Sequence, residues 1–402
     1  MSGLRHADLP EVNEFLVFDF VRGQEETTRT EIERSLGLSP ASVSRIVNRL
    51  AESGLVTLAK GETTAPGRPR TRVRFNNRAG AVIAIDLGGT KCHGALADLA
   101  GVVLDEDVRP TGASGSPYGT LLACLRALSK DARVRDLPVK ALAVGIPAVI
   151  DPDTGHARQA PNVHWENFDI VGRLTVDAGV PVMVDNDVNL AALGHAWRGD
   201  GVNARDFVVI SIGTGIGAGV VIDGQLVKGR HNAAGEVGAL LVRSEQLGSS
   251  FRDGLGGFER VASGPAIERR ARQLLDEGAM ASILAEGPAT PEAVFMAAAA
   301  GDPLATIVIE EVLDAIALAL ISISAVIDPE RIVLDGGVSR SLPPYLDALA
   351  ERIGRHLSHP PELRVSQLGP NATVVGAIAA ALQHTRRAPV ASQFAESFGL
   401  NA

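Results

Sequence analysis

The chain has 402 residues, 46% of them apolar and 21% charged, with a formal net charge of -9 and two cysteines. This is a globular composition, too long for one ordinary core, and it suggests two or three domains. Cys92 and Cys124 cannot build a disulfide framework or a four-cysteine zinc site, and the longest apolar run, thirteen residues from Ala315 to Ile327, is too short for a membrane span of about 20. The N-terminus lacks a basic-then-apolar signal segment, so a cytoplasmic protein with no membrane partner is expected.

Charge is unevenly distributed. Residues 1–80 carry twelve Lys and Arg against ten Asp and Glu, and the remainder 26 against 37. Between Lys60 and Arg78 there are six basic residues and one acid. That local excess is the part of the charge pattern that points to nucleic acid.

A first helix is expected over about Pro10 to Val21, with Val12, Phe15, Leu16, Phe18 and Phe20 available to close a small core. In "TRTEIERSLGLSPASVSRIVNRLAESGLV", Thr30 and Glu33 have the spacing of a capping box, which starts a helix at Glu31 and runs it to Leu36 before Gly37. Ser39 caps the next helix and Pro40 takes its first position. Val43, Ile46, Val47 and Leu50 form its apolar stripe, leaving Ser42, Ser44, Arg45, Asn48 and Arg49 outward. Two helices joined around a glycine make a helix-turn-helix, whose second helix can present these residues to base edges or phosphates. "LVTLAK" and "RTRVRFNN" then alternate as two strands around a basic wing with Arg68 and Arg70 at its tip. The alternative is a small helical domain for protein contacts, which the basic wing disfavours.

From Ala81 the chain alternates strands and helices. "AVIAIDLGGTK" and "GALADLAG" read as an antiparallel hairpin around Gly88 and Gly89, without the Walker lysine pattern. Its backbone amides, Thr90 and Lys91 would face a phosphate, and Asp86 at the strand end would hold magnesium through water. "VVISIGTGIGAGVVIDG" repeats the arrangement around Gly213, Thr214 and Gly215, which suggests a duplicated architecture closing on one nucleotide. "IVLDGGVS" ends a third apolar strand at Gly336 and Gly337, where a base or ribose would lie against backbone. Any one Gly-Gly turn can be a simple hairpin; three at the ends of apolar strands form a pattern. Between them "VPVMVDNDVNLAALGH" places Asp185, Asn186 and Asp187 at a strand end before a helix, where open α/β sheets put their chemistry. Asp187 has the character of a general base for phosphoryl transfer to a hydroxyl, and Asn186 that of a hydroxyl partner. The competing reading is that Asp185 or Asp187 merely caps the helix.

Together "IDLGGTK", "DNDVNLAALGH", "GTGIGAGVVIDGQLVKGRHNAAGEVG", "ASGPAI" and "LGPNATVVGAIAAAL" resemble segments of the ROK family (repressors, open reading frames and sugar kinases), over essentially the whole chain. The resemblance implies a two-lobed actin/hexokinase-like ATPase fold over 79–402, preceded by the winged helix-turn-helix of 1–78. It also implies a sugar site made of Asn162, Asn186, Asp187, Glu236 and Glu259, with Asp187 the base in any kinase. Members with such an N-terminal module are typically sugar-responsive regulators. An operator of inverted-repeat type, a sugar or sugar-phosphate effector, Mg-ATP and a homodimer or homotetramer are the partners implied. Two departures stand out. Ala239 occupies the position of the family's usual zinc-linked His, and "RDGLGGFE" lacks its cysteines, so no family-type zinc is expected. Pro147-Ala148 replaces the common Pro-Gly and places a methyl near the expected sugar.

Overall fold

The computed structural model describes residues 9–60, 71–158, 160–248, 255–278 and 280–397. The N-terminal unit comprises α1 (Leu9–Arg22), β1 (Thr27–Thr28), α2 (Arg29–Leu36), α3 (Pro40–Glu52), β2 (Val56–Lys60) and β3 (Thr71–Phe75), with the strands in the order β1-β3-β2. Val43, Ile46, Val47 and Leu50 of α3 are buried as their spacing requires, together with Val17, Phe18 and Val21 of α1 and Ile32 of α2.

Two expectations for this unit need correction. The capping box is formed by Thr28 and Glu31: Thr28 Oγ1 accepts from the Glu31 amide, and Glu31 accepts from the Thr28 amide. The helix therefore begins two residues earlier than the Thr30–Glu33 pair suggests, because Thr28, and not Thr30, has the extended backbone a cap requires. On α1, Val12 and Leu16 are exposed, and the buried face is Val17, Phe18 and Val21. The Ser39 cap and Pro40 at the first turn of α3 are as read from the sequence.

The remainder is built twice over. In the first lobe, β4 (Ala81–Leu87), β5 (Lys91–Asp98) and β6 (Val103–Pro110) form an antiparallel meander, followed by α4 (Pro117–Val134) and β7 (Val139–Ile146). A small sheet of β8 (Val149–Ile150), β9 (His156–Arg158) and β10 (Phe168–Asp169) precedes α5 (Ile170–Ala178), β11 (Val182–Asn186) and α6 (Asp187–Arg198). In the second lobe, β12 (Phe207–Ile212), β13 (Ile216–Ile222) and β14 (Gln225–Leu226) repeat the meander. Then come α7 (Glu259–Ala262), α8 (Gly264–Glu277), α9 (Pro291–Ala299), α10 (Pro303–Ile327), β15 (Arg331–Asp335), α11 (Leu346–Gly354), β16 (Glu362–Val365) and α12 (Ala372–Ser397). The two main sheets run β11-β7-β4-β5-β6 and β14-β13-β12-β15-β16, so each has a meander on one side and parallel strands on the other. The duplication expected from the two glycine hairpins is thus present in the strand order itself.

Helices α6 and α12 lie between the lobes. Leu190 of α6 joins the first lobe's core with Val374, Ala377 and Ile378 of α12, while Ala192 packs with Phe207, Val209 and Val333 of the second lobe. The two helices cross so closely that a Cβ on Gly376 would lie 1.6 Å from the Leu190 carbonyl oxygen, so only glycine fits there. No described helix is long and apolar enough to cross a membrane.

Candidate functional site

The parallel strands of both lobes deliver their C-terminal ends to a common cleft, the place such sheets reserve for ligands. Asp86 of β4 and Asp185 of β11 both pair in register with Gly145 of β7, so the two acids flank a residue without a side chain. Asp187 follows at the start of α6, and a Cβ on Gly145 would lie 3.5 Å from its Cα. Asp335 ends β15 on the opposite lobe and is buried.

These acids sense one another. Burial pushes the Asp86 carboxyl up to about 7, with the charges of Asp187 and Asp335 adding to the rise and Lys91 opposing it. Burial likewise raises Asp187 to about 6 against the pull of the Val188 amide and its own. Acids crowded into a place shielded from water lose the solvation that favours their charged form. A cation or a hydroxyl entering the cleft would relieve that cost, which makes this cluster the electrostatic focus of the molecule. Asp335 belongs to it and was not singled out from the sequence, although it precedes Gly336 in a stretch already noted.

The glycine turns frame this cluster. Gly88 donates its amide to the Lys91 carbonyl (2.9 Å) and closes the first turn, and Thr111 Oγ1 donates to the Gly88 carbonyl (2.7 Å). Gly89 and Thr90 are exposed, and a Cβ on Gly89 would stand 3.1 Å from the Asn162 carbonyl oxygen, so this turn abuts Asn162. In the second turn Gly213 donates to the Gly215 carbonyl (2.9 Å) and accepts from the Gly264 amide at the start of α8 (2.8 Å), with Thr214 exposed between them. Gly337 approaches Gly213: a Cβ on the latter would lie 3.9 Å from the Gly337 amide. Gly336, with φ +90°, packs on Ile212, so the second and third turns meet.

Glu236 and Glu259 reach the same cleft from the second lobe. Burial raises the Glu236 carboxyl, helped by the charges of Asp187 and Glu259; burial also raises Glu259, opposed by the Gly256 and Ile216 amides. A Cβ on Gly215 would meet Glu259 Oε1 at 2.7 Å, which joins this carboxylate to the second turn. Asn186 is the cap of α6: its Oδ1 accepts from the Val188 and Asn189 amides, and its Nδ2 donates to the Ala148 carbonyl (3.4 Å). The competing reading, in which Asp185 or Asp187 is merely the cap of this helix, does not hold, because Asn186 has the extended backbone and the oxygen aimed at both amides. Ala148 is buried in the first lobe's core cluster, so its methyl is accommodated by packing.

Among the described residues, two side-chain hydrogen bonds link the second-lobe loop after β14 to the first lobe. Lys228 Nζ donates to Asp185 Oδ2 (2.6 Å), and Asn232 Nδ2 donates to the Ile150 carbonyl (2.9 Å). Neither residue carried a signal in the sequence, since each works through a partner more than 40 positions away.

The family's zinc does not fit the donors present. Ala239 offers a methyl, a Cβ on Gly256 would stand 2.5 Å from the Ala239 Cα, and Cys92 and Cys124 are both buried in the first lobe's core. Zinc needs about four His, Cys or carboxylate ligands, and among the described residues no three such groups converge closely enough to hold a metal ion.

On the N-terminal unit, Arg45 and Asn48 are exposed and Ser42 and Ser44 half-buried along one side of α3. Arg49 is held in an ion pair with Glu14 of α1 (2.6 Å), so it acts first as a tie between helices and not as a free cation. Arg68 and Arg70 lie outside the described residues.

The fold and the cleft together define a duplicated two-lobed α/β protein preceded by a winged helix-turn-helix. The chain belongs to the ROK family, whose model matches residues 82–384, and residues 8–65 match a MarR family model. The xylose repressor of Caldicellulosiruptor bescii is 26% identical, over 93% of this chain and 96% of its own length. A ROK family transcriptional regulator, described as a homologue of the E. coli MLC protein, superposes with a TM-score of 0.80 at 24% identity over 95% of this chain and 98% of its own. A ROK family glucokinase from Streptomyces griseus, solved with glucose and AMPPNP, superposes with a TM-score of 0.63 at 29% identity, over all of its own chain but 76% of this one. The two regulators thus extend over nearly the whole chain, and the kinase over three quarters of it.

Proposed function

We propose that this protein is a sugar-responsive, DNA-binding transcriptional regulator of the repressor type. Its winged helix-turn-helix unit, over 1–78, takes the operator, and its ROK unit, over 79–402, takes a sugar or sugar phosphate. The carrying observation is that one chain joins a MarR-type winged helix, with polar Ser42, Ser44, Arg45 and Asn48 along α3, to an acid-lined cleft. In this reading Asn162, Asn186, Asp187, Glu236 and Glu259 hold the hydroxyls, because carboxylates and amides fix them with directional hydrogen bonds. Asn186 contributes through what its cap leaves available. Asp86, Gly88, Gly89, Thr90, Lys91, Gly213, Thr214, Gly215, Gly336 and Gly337 frame a place for Mg-ATP, and no zinc takes part. Arg68 and Arg70 supply phosphate contacts. A sugar that binds one lobe arrangement better than the other shifts the population toward it, with Lys228–Asp185 and Asn232–Ile150 as the contacts remade across the cleft. A homodimer or homotetramer would match an inverted repeat with half-sites one helical turn or more apart.

One observation favours a second reading, an ATP-dependent sugar kinase with an accessory DNA-binding unit. Asp187 is raised to about 6, close to where a general base is most effective, at the place the kinase reading requires. Ala239 at the usual His position weakens that reading. The two separate in a paired experiment on the full chain. Salt-sensitive, sequence-specific DNA binding whose affinity changes with one sugar of a panel is expected, with ADP release absent or slow. Turnover that Asp187→Ala abolishes, without any specific DNA binding, would replace the regulator by the kinase.

A further inference from the structure

Arg29 opens α2, yet its side chain serves α3. Its guanidinium donates from Nη1 to Ser44 Oγ (3.1 Å) and from Nη2 to Asn48 Oδ1 (2.7 Å), and its Nε is buried without a hydrogen-bond partner among the described residues. The group is therefore laid against α3 and partly withdrawn from water, unlike an arginine that roams the surface. Arginine carries only donors, so the atom Asn48 turns toward it has to be the amide oxygen. The chemistry of the pair thus fixes which way the Asn48 amide faces, and the exposed end left to a ligand is its NH2 group. Ser44 Oγ accepts from Arg29, and its O–H remains available as a donor.

This orientation bears on base recognition. A free asparagine pairs with adenine in two bonds, its oxygen accepting from N6 while its nitrogen donates to N7. With its oxygen turned toward Arg29 and one lone pair engaged there, Asn48 directs its NH2 group away from Arg29, so the oxygen is not placed to accept from adenine N6 while the nitrogen donates to N7. Guanine, whose O6 and N7 are adjacent acceptors on the major-groove edge, matches a side chain that leads with its NH2 group. We infer that Arg29 is a specificity-determining positioning residue that locks Asn48 into reading guanine in place of adenine. The inference rests on the DNA-binding reading and adds to it which base class α3 selects and which residue outside α3 decides it.

The test uses the full-length protein and selection from a random duplex library, followed by competition with single-base variants of the enriched site. Asn48→Ala identifies the position that Asn48 reads, as the one whose preference disappears. Guanine is expected there in the wild type. Arg29→Met frees the amide, and the ratio of adenine to guanine affinity at that position should rise about tenfold, the discrimination of a single bidentate pair, with other positions unchanged. Arg29→Lys keeps a donor-only cation at α2, so it should retain much of the guanine preference that Arg29→Met loses. Adenine at that position in the wild type overturns the proposal, and so does a uniform loss of affinity in Arg29→Met with a reduced salt slope, the mark of a phosphate contact. A wild type that enriches no sequence removes the regulator reading itself, whereas adenine enrichment leaves that reading standing and removes only the clamp.

Discussion

At the scale of single residues, lost solvation holds Asp86, Asp187, Glu236 and Glu259 of the cleft above their ordinary ionisation range. Asp86 is the extreme, raised from 3.8 to about 7. The folded state then keeps a proton that the unfolded chain has already released, so stability falls as pH rises from about 4 to about 7 and levels off above it. Asp86→Asn removes that cost. Its expected effect at pH 8 is a gain on the order of 2–4 kcal/mol in urea unfolding, with a smaller gain at pH 5. Asp187 contributes in the same direction, so some pH dependence remains in the variant. An unchanged pH profile would mean that Asp86 is solvated in the folded state. Asp86 and Asp187 were legible in the sequence because each lies where an apolar strand ends, whereas Glu236 and Glu259 were reached only through the resemblance to the ROK family. Asp335, Lys228 and Asn232 were not, because what makes them matter is who faces them. Asn186 could be noted but not given its role, since the capping residue is decided by backbone angles.

At the scale of elements, the glycine hairpins and the strand before α6 followed from alternation and punctuation, which are local. The error in the α2 cap is instructive: Thr28 and Thr30 both precede a glutamate by three positions, and the choice fell to the residue whose backbone stays extended beside β3. Local pattern offered both; the paired strand selected one. The loop that carries Glu236 makes a sharper prediction. Gly235 has φ +92°, and a Cβ on it would lie 1.9 Å from the Ala218 carbonyl oxygen, a backbone atom that cannot move aside alone. Gly235→Ala should destabilise the fold by about 2–3 kcal/mol and misplace Glu236. Gly278, also at positive φ, has nothing within 4 Å, so Gly278→Ala should cost only about 1 kcal/mol. Thermal unfolding of the two variants beside sugar titration calorimetry checks the contrast; equal losses would show that strain, and not the close approach, sets the cost.

At the scale of the whole molecule, the winged helix is fastened to the first lobe and does not hang from a bare linker. Arg22 of α1 donates to the Leu99 carbonyl (2.6 Å) and lies 5.5 Å over the Phe75 ring, while Asn77 Nδ2 donates to Asp98 Oδ2 (2.6 Å). Phe75 packs against the N-terminal core and against the cluster that contains α12. A lobe movement therefore has a physical route to α1 and, through Arg49–Glu14, to α3. Arg22→Ala should leave DNA affinity of the sugar-free protein within about threefold of wild type while shrinking the sugar-induced change, because coupling is a difference between states and not a contact energy. Fluorescence anisotropy on an operator duplex, with and without sugar, measures both quantities. Loss of DNA affinity with the sugar response intact would place Arg22 in the DNA-binding unit alone.

The sequence by itself determined the helix-turn-helix, the three glycine turns, the acid-bearing strand end and the departures at Ala239 and the missing cysteines. The helix-turn-helix, the turns and the strand end are written in spacings of a few residues, over which backbone preference and side-chain period act directly, whereas the departures are visible only against the resemblance to the ROK family. Only the tertiary structure decided that Asp86, Asp187 and Asp335 share one field, that Asn186 is the cap, that Lys228 and Asn232 bridge the lobes, and that Arg29 orients Asn48. The Asn186 cap is set by local backbone angles that spacing does not reveal; the others depend on hydrogen bonds or charges between residues far apart in the chain, and such contacts exist only after the sheets and helices have packed.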